Sequence, residues 1–213
     1  MSSPTAAATY AGLTKAYDHY NRTLFGGQLP RCLITFQRHK GAYGYFAPQR
    51  FRSTAPSPEV TDEIALNPQH IGERSARETH STLVHEMAHL WQQHCGTPPK
   101  SSYHTREWAE KMKQVGLHPS TTGEPGGKET GPRVSHFIVE GGPFAKAFAE
   151  LESKGLGELY TDAWAEDPER QKTRERKAAS KTKFSCPTCE QNVWAKPTTR
   201  IRCDDCDELM EAA

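Results

Sequence analysis

Leu83-Val84-His85-Glu86-Met87-Ala88-His89-Leu90-Trp91 is the stretch from which the rest of the chain is best read. It lies within residues 73–94, which contain neither Gly nor Pro. Its apolar residues Leu83, Val84, Met87, Ala88, Leu90 and Trp91 cover more than half a helix circumference, the pattern of a buried central helix. At about 100° per residue, positions i and i+4 stand one turn apart on one face, so His85 and His89 can aim two imidazole nitrogens at a single cation. Glu86 is rotated by one residue. That sets its carboxylate beside the cation, where it can take a proton from a bound water.

A catalytic zinc has three protein ligands and an open position, so a third ligand is expected downstream. Gln92 and Cys95 do not supply the Gly and His of the extended metzincin pattern, and His94 faces half a turn away. His104 follows the Gly96-Thr97-Pro98-Pro99 turn at the mouth of the next helix, with Glu107 and Glu110 one and two turns further on. His104 is the first choice and Glu110 the next. His80 and His118 read as surface histidines, and Cys32 and Cys95 as core thiols. Zinc held by such a set would lower its water's pKa to about 7 and polarise a scissile carbonyl, with Glu86 as general base and then proton donor.

Outward from the motif, Tyr10, Leu13, Tyr17, Tyr20 and Leu24 repeat at helical spacing and stop at Gly26-Gly27. Cys32–Phe36, Ala42–Phe46 and Val60–Asn67 read as strands, with a Pro-rich loop at Ser53–Pro58. A helix is expected over about Thr105–Val115. Helix, strands, helix, helix is an α+β order. The strand before the motif helix, Asp62 to Asn67, is expected to offer a free edge to an extended substrate. Pro119 to Arg133 reads as a Gly/Pro/Thr-rich loop, Val134–Val139 as a strand, and Phe144, Phe148 and Leu151 as a short amphipathic helix.

Four of the six cysteines fall near the end as Cys186-Pro187-Thr188-Cys189 and Cys203-Asp204-Asp205-Cys206, with thirteen residues between the pairs. Two such knuckles make a four-thiolate zinc ribbon, here with a hairpin expected through Val193-Trp194-Ala195 and Ile201-Arg202. Ahead of it runs a basic segment carrying Arg170, Lys172, Arg174, Arg176, Lys177, Lys181 and Lys183, a tether or solvated helix suited to phosphate contacts.

The composition fits a chain of unlike parts. With 27 Lys+Arg against 26 Asp+Glu the formal charge is +1, yet residues 1–118, 119–165, 166–183 and 184–213 carry +4, −3, +3 and −3. Counted with Gly and without Tyr, the apolar share is roughly 39%, below the about 45–50% usual for packed domains. The expected division is a catalytic domain over 1–118, an insert over 119–165, a basic linker over 166–183 and a ribbon over 184–213. No run of residues is long and apolar enough to span a membrane. The start, Met1-Ser2-Ser3-Pro4-Thr5-Ala6-Ala7-Ala8, does not read as a secretory signal. A cytoplasmic protein, nucleoid-associated if bacterial, is the expectation.

These residues together resemble the SprT-like zinc metallopeptidases, whose eukaryotic relative is Spartan. The likeness rests on Asn21-Arg22-Thr23-Leu24-Phe25-Gly26-Gly27-Gln28-Leu29-Pro30, Ile64-Ala65-Leu66-Asn67-Pro68, the His85–His89 motif, His104 and the four-cysteine ribbon. It is greatest to bacterial-type members of short plan. The resemblance implies a minimal zincin-like domain of N-terminal helix, small mixed sheet and active-site helix, followed by a zinc ribbon. It also implies His85, His89 and His104 as ligands of a catalytic Zn2+, Glu86 as base, and a structural Zn2+ on Cys186, Cys189, Cys203 and Cys206. Spartan-like members cut proteins crosslinked to DNA and are activated by DNA, so the implied function is a zinc metalloendopeptidase with protein substrates and a DNA partner. The alternatives are a non-catalytic nucleic-acid-binding adaptor on a zincin scaffold and a zinc hydrolase of non-peptide substrates.

Overall fold

The computed structural model describes residues 6–56, 59–100, 103–155 and 168–212. The first five residues, Ser57 and Pro58 of the expected loop, and residues 156–167, where the expected insert meets the linker, lie outside the described residues. The chain forms two compact units, Met1–Asp162 and Ala163–Ala213. Among the described residues no helix is long and apolar enough to cross a membrane.

The first unit is mixed α+β. Helix α1 (Ala6–Leu24) buries Leu13, Tyr17 and Tyr20, while Tyr10, at the start of the same stripe, is 44% exposed. Gly26 and Gly27, both at positive φ, turn the chain, and the Gly27 amide donates to the Asn21 carbonyl at 2.8 Å. The Asn21 side chain then clamps Leu29, donating to its carbonyl (3.0 Å) and accepting from its amide (3.1 Å).

Strands β1 (Leu33–Phe36), β2 (Gly44–Arg52) and β3 (Val60–Leu66) form one sheet in the order β1-β3-β2. β1 runs parallel to β3 and β2 antiparallel to it, with a bulge between Ala47 and Phe51. The bulge sets Gln49 at φ 51°, and its amide donates to Asp62 Oδ1 at 2.7 Å. β3 is thus the central strand. The expected free edge at Asp62 to Asn67 does not exist, because neighbours pair with β3 on both sides; among the described residues β2 pairs on one side only, with β3.

Helix α2 (Ala76–Cys95) starts at a capping box, in which the Ser75 hydroxyl accepts from the Glu78 amide and the Glu78 carboxylate from the Ser75 amide. Leu83, Val84, Met87 and Leu90 are at most 1% exposed, each worth about 1.5–3 kcal/mol of burial. His80, expected at the surface, is instead 1% exposed between Tyr20 and Phe148. Cys95 shows the reverse: it is exposed rather than a core thiol. Helix α3 (Arg106–Gln114) is capped by Thr105, whose hydroxyl accepts from the Trp108 amide at 3.3 Å.

Residues 119–155 are not set apart from the first block. Strand β4 (Leu117–Ser120) pairs antiparallel with β5 (Ser135–Ile138), and helix α4 (Pro143–Ser153) lies on α1. Phe144 and Leu151 are fully buried in the same core as Tyr20 and Leu83. His19 Nε2 donates to the Ala147 carbonyl at 2.8 Å. A Gly/Pro-rich composition marks only the connection between β4 and β5.

In the second unit, helix α5 (Pro168–Ala179) carries the basic segment as far as Lys177 and leads to β6 (Thr182–Ser185), which holds Lys183, then β7 (Asn192–Ala195), β8 (Arg202–Cys203), β9 (Glu208–Leu209) and β10 (Glu211–Ala212). β6 pairs with β7 and β10, and β8 with β9. Val193 therefore faces Phe184 and Arg202 faces Leu209, so the expected pairing of 193–195 with 201–202 is replaced by two local hairpins, one around each knuckle.

Candidate metal centres

α2 delivers His85 and His89 one turn apart, and His104 joins them from the residue before the α3 cap. One ligating nitrogen from each lies within 4.8 Å of the others. The third histidine is held by backbone. His104 and Gly131 exchange amide-to-carbonyl bonds of 2.8 and 3.2 Å, and His104 Nδ1 donates to the Gly131 carbonyl at 3.1 Å. A carbonyl can only accept, so Nδ1 carries the proton and Nε2 keeps its lone pair. Gly131 adopts φ +147°, a conformation that side-chain-bearing residues rarely take.

Trp108, fully buried, floors the cluster, with its ring 4.9, 5.0 and 4.5 Å from those of His85, His89 and His104. In this apolar setting burial holds His85 well below the ordinary histidine range, takes His89 down to about 3, and lowers His104 against the opposing bond to Gly131. Neutral imidazoles with free lone pairs are what a cation site requires. The donor set therefore fits a divalent metal such as zinc.

Glu86 is 6% exposed and, with His85 and His89, lines an open cleft of about 1060 Å³. Burial alone pushes its carboxyl up to about 8, and a cation beside it would draw it back to the ionised form. The other wall of the cleft is the start of β2 and the loop before it. Asn67 shapes that loop, its side-chain amide donating to the carbonyls of His39 and Ala42, both at 2.9 Å.

At Gly44 the backbone of β2 comes close to both β3 and α2. A Cβ there would stand 2.8 Å from the Ala65 carbonyl oxygen, 3.0 Å from Thr82 Cγ2 and 3.4 Å from Glu86 Cγ. Gly44→Ala is accordingly expected to push β2 off α2, costing about 1–3 kcal/mol. A lower thermal midpoint, with a loss of any hydrolytic activity that depends on Glu86, is the expected result; an unchanged midpoint would show that the sheet yields freely.

The alternative ligands are engaged elsewhere. Glu107 accepts from Gln92 Nε2 (2.9 Å) and the Thr97 amide (2.8 Å), tying α2 to the turn before α3, and Glu110 pairs with Arg106 at 3.0 Å. His94 faces away, 2.6 Å from Asp62. His118 pairs with Glu129 at the surface. Sequence reading missed His136 on β5, whose Nδ1 lies 3.1 Å from His85 Nδ1. Its alternation with Ser135 and Phe137 in a strand was visible, but nothing local pairs that strand with α2.

In the second unit, one sulfur from each of Cys186, Cys189, Cys203 and Cys206 lies within 4.8 Å of the others, and none forms a disulfide. Donation from the Cys189 backbone amide brings Cys186 down to about 7, whereas a side-chain hydrogen bond with Cys189 lifts Cys206 to about 12. Four sulfurs at this spacing resist simultaneous ionisation unless a cation lies among them, so this set too fits zinc.

The sequence profile of the SprT-like family matches residues 13–127, more than half the chain. The chain belongs to the SprT-like family. Membership points to a metallopeptidase-like role, and the matched span holds the helix and all three histidines. The SprT-like chain is also 54% identical over 43 residues to an uncharacterized protein in the mucB 3′ region of Salmonella typhimurium. That match covers 20% of this chain and 58% of the length of the relative.

Proposed function

We propose that the chain is a zinc-dependent endopeptidase of zincin-like architecture that acts on proteins associated with DNA. The supporting observation is the convergence of His85, His89 and His104 around one point, with the Glu86 carboxyl on the same cleft wall. Bound there, zinc would supply Lewis-acid polarisation of a carbonyl and an acidified water. Glu86 takes the proton of the attacking water and returns it to the departing amine, so no acyl-enzyme forms. Trp108 and Gly131 keep the histidines in place during the reaction.

Substrate is held by β2. It has a partner on one side only among the described residues, and Gly44, Tyr45, Phe46 and Pro48 line the cleft. An extended peptide can add to that edge through backbone hydrogen bonds. The test is incubation of the purified chain with a DNA-binding protein, with and without single-stranded DNA and with and without a zinc chelator. Chelator-sensitive cleavage is expected, and its absence under every condition would leave the adaptor reading in its place.

DNA engagement is assigned to the second unit. Arg170, Lys172 and Arg176 on α5 are exposed, as is Lys181, with Lys183 partly so; the side chains of Arg174 and Lys177 lie outside the described ones. Trp194 is 62% exposed on β7, directly opposite Lys183, the pairing of an aromatic face with a cation that single-stranded bases stack on. Removing residues 170–213 is expected to weaken DNA binding and flatten its salt dependence by about 0.7–0.9 in log–log slope for each phosphate no longer neutralised. An unchanged slope would make the unit a structural appendage.

A further inference from the structure

Ser81, His136 and His85 form a chain of hydrogen bonds whose proton positions can be assigned from end to end. Ser81 Oγ lies 2.7 Å from the Glu78 carbonyl oxygen, which can only accept, so the hydroxyl proton is committed there. His136 Nε2 lies 2.8 Å from the same Oγ. With its one proton used, Oγ must accept from His136, which places the His136 proton on Nε2. Neutral His136 then has a lone pair on Nδ1, and the 3.1 Å contact to His85 Nδ1 requires His85 to be the donor. His85 is left with its lone pair on Nε2.

From this geometry we infer that His136 is a positioning residue for the three-histidine centre, setting the tautomer and ring orientation of His85 so that Nε2 faces the metal. The inference rests on the zinc reading of that centre. Ligating histidines are commonly steadied through the ring nitrogen that does not bind the metal, usually by a carboxylate or backbone carbonyl. Here the partner is a second imidazole, anchored through Ser81 to the turn of α2 that precedes His85. β5 thereby contributes to the centre without contributing a ligand. A neutral partner orients His85 without adding negative charge, in contrast to a carboxylate.

Two substitutions separate orientation from mere packing. His136→Asn keeps an acceptor near the place of Nδ1 and gives up the bond to Ser81; His136→Gln keeps a polar group near Nε2 and gives up the acceptor for His85. Zinc affinity of the full chain is measured by chelator competition, with His89→Ala, which retains only the four-cysteine site, as baseline. His136→Gln and His136→Ala are expected to weaken the histidine site about 10–100-fold, while His136→Asn stays near the unaltered chain. In the metal-free protein, ring ¹⁵N shifts are expected to show His85 protonated at Nδ1 and to lose that signature in His136→Gln.

Unchanged affinity in His136→Gln, or an equal loss in the Asn and Gln variants, overturns the inference even if all variants melt at a lower temperature, because the split between them is the readout. If the unaltered chain binds no more zinc than His89→Ala, the zinc reading of the centre fails and this inference falls with it. One additional zinc held equally tightly with His136→Gln refutes the positioning role alone.

Discussion

Glu86→Gln is expected to lower peptide hydrolysis by about 10²–10⁴-fold, with the fold and the zinc content intact. The two side chains have the same shape, so the close approach of Glu86 to Gly44 survives the exchange. What disappears is the basic carboxylate. An amide cannot take up the water proton at any accessible pH, and Glu86 is the one carboxylic acid among the described residues lining the cleft. Measuring cleavage of a protein substrate beside zinc content and thermal midpoint separates the outcomes. Activity within a factor of a few of the unaltered chain would remove Glu86 from the chemistry, and with it the endopeptidase reading in its present form.

The second large effect is expected from Cys186→Ser. The core of the ribbon is small: Phe184, Cys186, Cys203 and Met210 are its buried residues, with Ala195, Ile201 and Cys206 packed against them. So few apolar side chains cannot offset the conformational entropy of ordering two hairpins. Zinc held by the four thiolates would supply the difference, with apparent free energies of about 10–16 kcal/mol for structural zinc in finger peptides near neutral pH. Removing one of four thiolates is expected to take one zinc from the chain and to abolish hydrogen-exchange protection in β6 to β10. Retained protection in a zinc-depleted ribbon would mean that it folds without metal.

Much of both sites was legible along the chain. The His85–His89 spacing, the apolar coverage of the same helix and the paired cysteine knuckles are local patterns, and a helix or knuckle forms within the segment that encodes it. His104 was reachable because only a short turn separates α2 from α3. The strands of the first sheet were visible as β-favouring runs, but not which of them lay in the centre. That depended on β1 pairing with β3 in parallel while β2 closed the other side, and strand propensity does not specify a neighbour.

What was missed has the same cause. Residues 121–134 form the loop their composition indicates, but composition does not reveal that Gly131 secures His104 across 27 positions of chain. His136 looked like any strand histidine until β5 was brought against α2, 51 positions from His85. His80 appeared exposed because its own helix does not reveal that α1 and α4 cover it with Tyr20 and Phe148. Sequence alone indicated the candidate ligand residues, their helical phase and the family likeness, since each depends on neighbours a few residues apart. The free sheet edge, the anchoring of His104 and the tautomer of His85 came only with the folded chain, since each rests on a hydrogen bond whose partners no local pattern brings together.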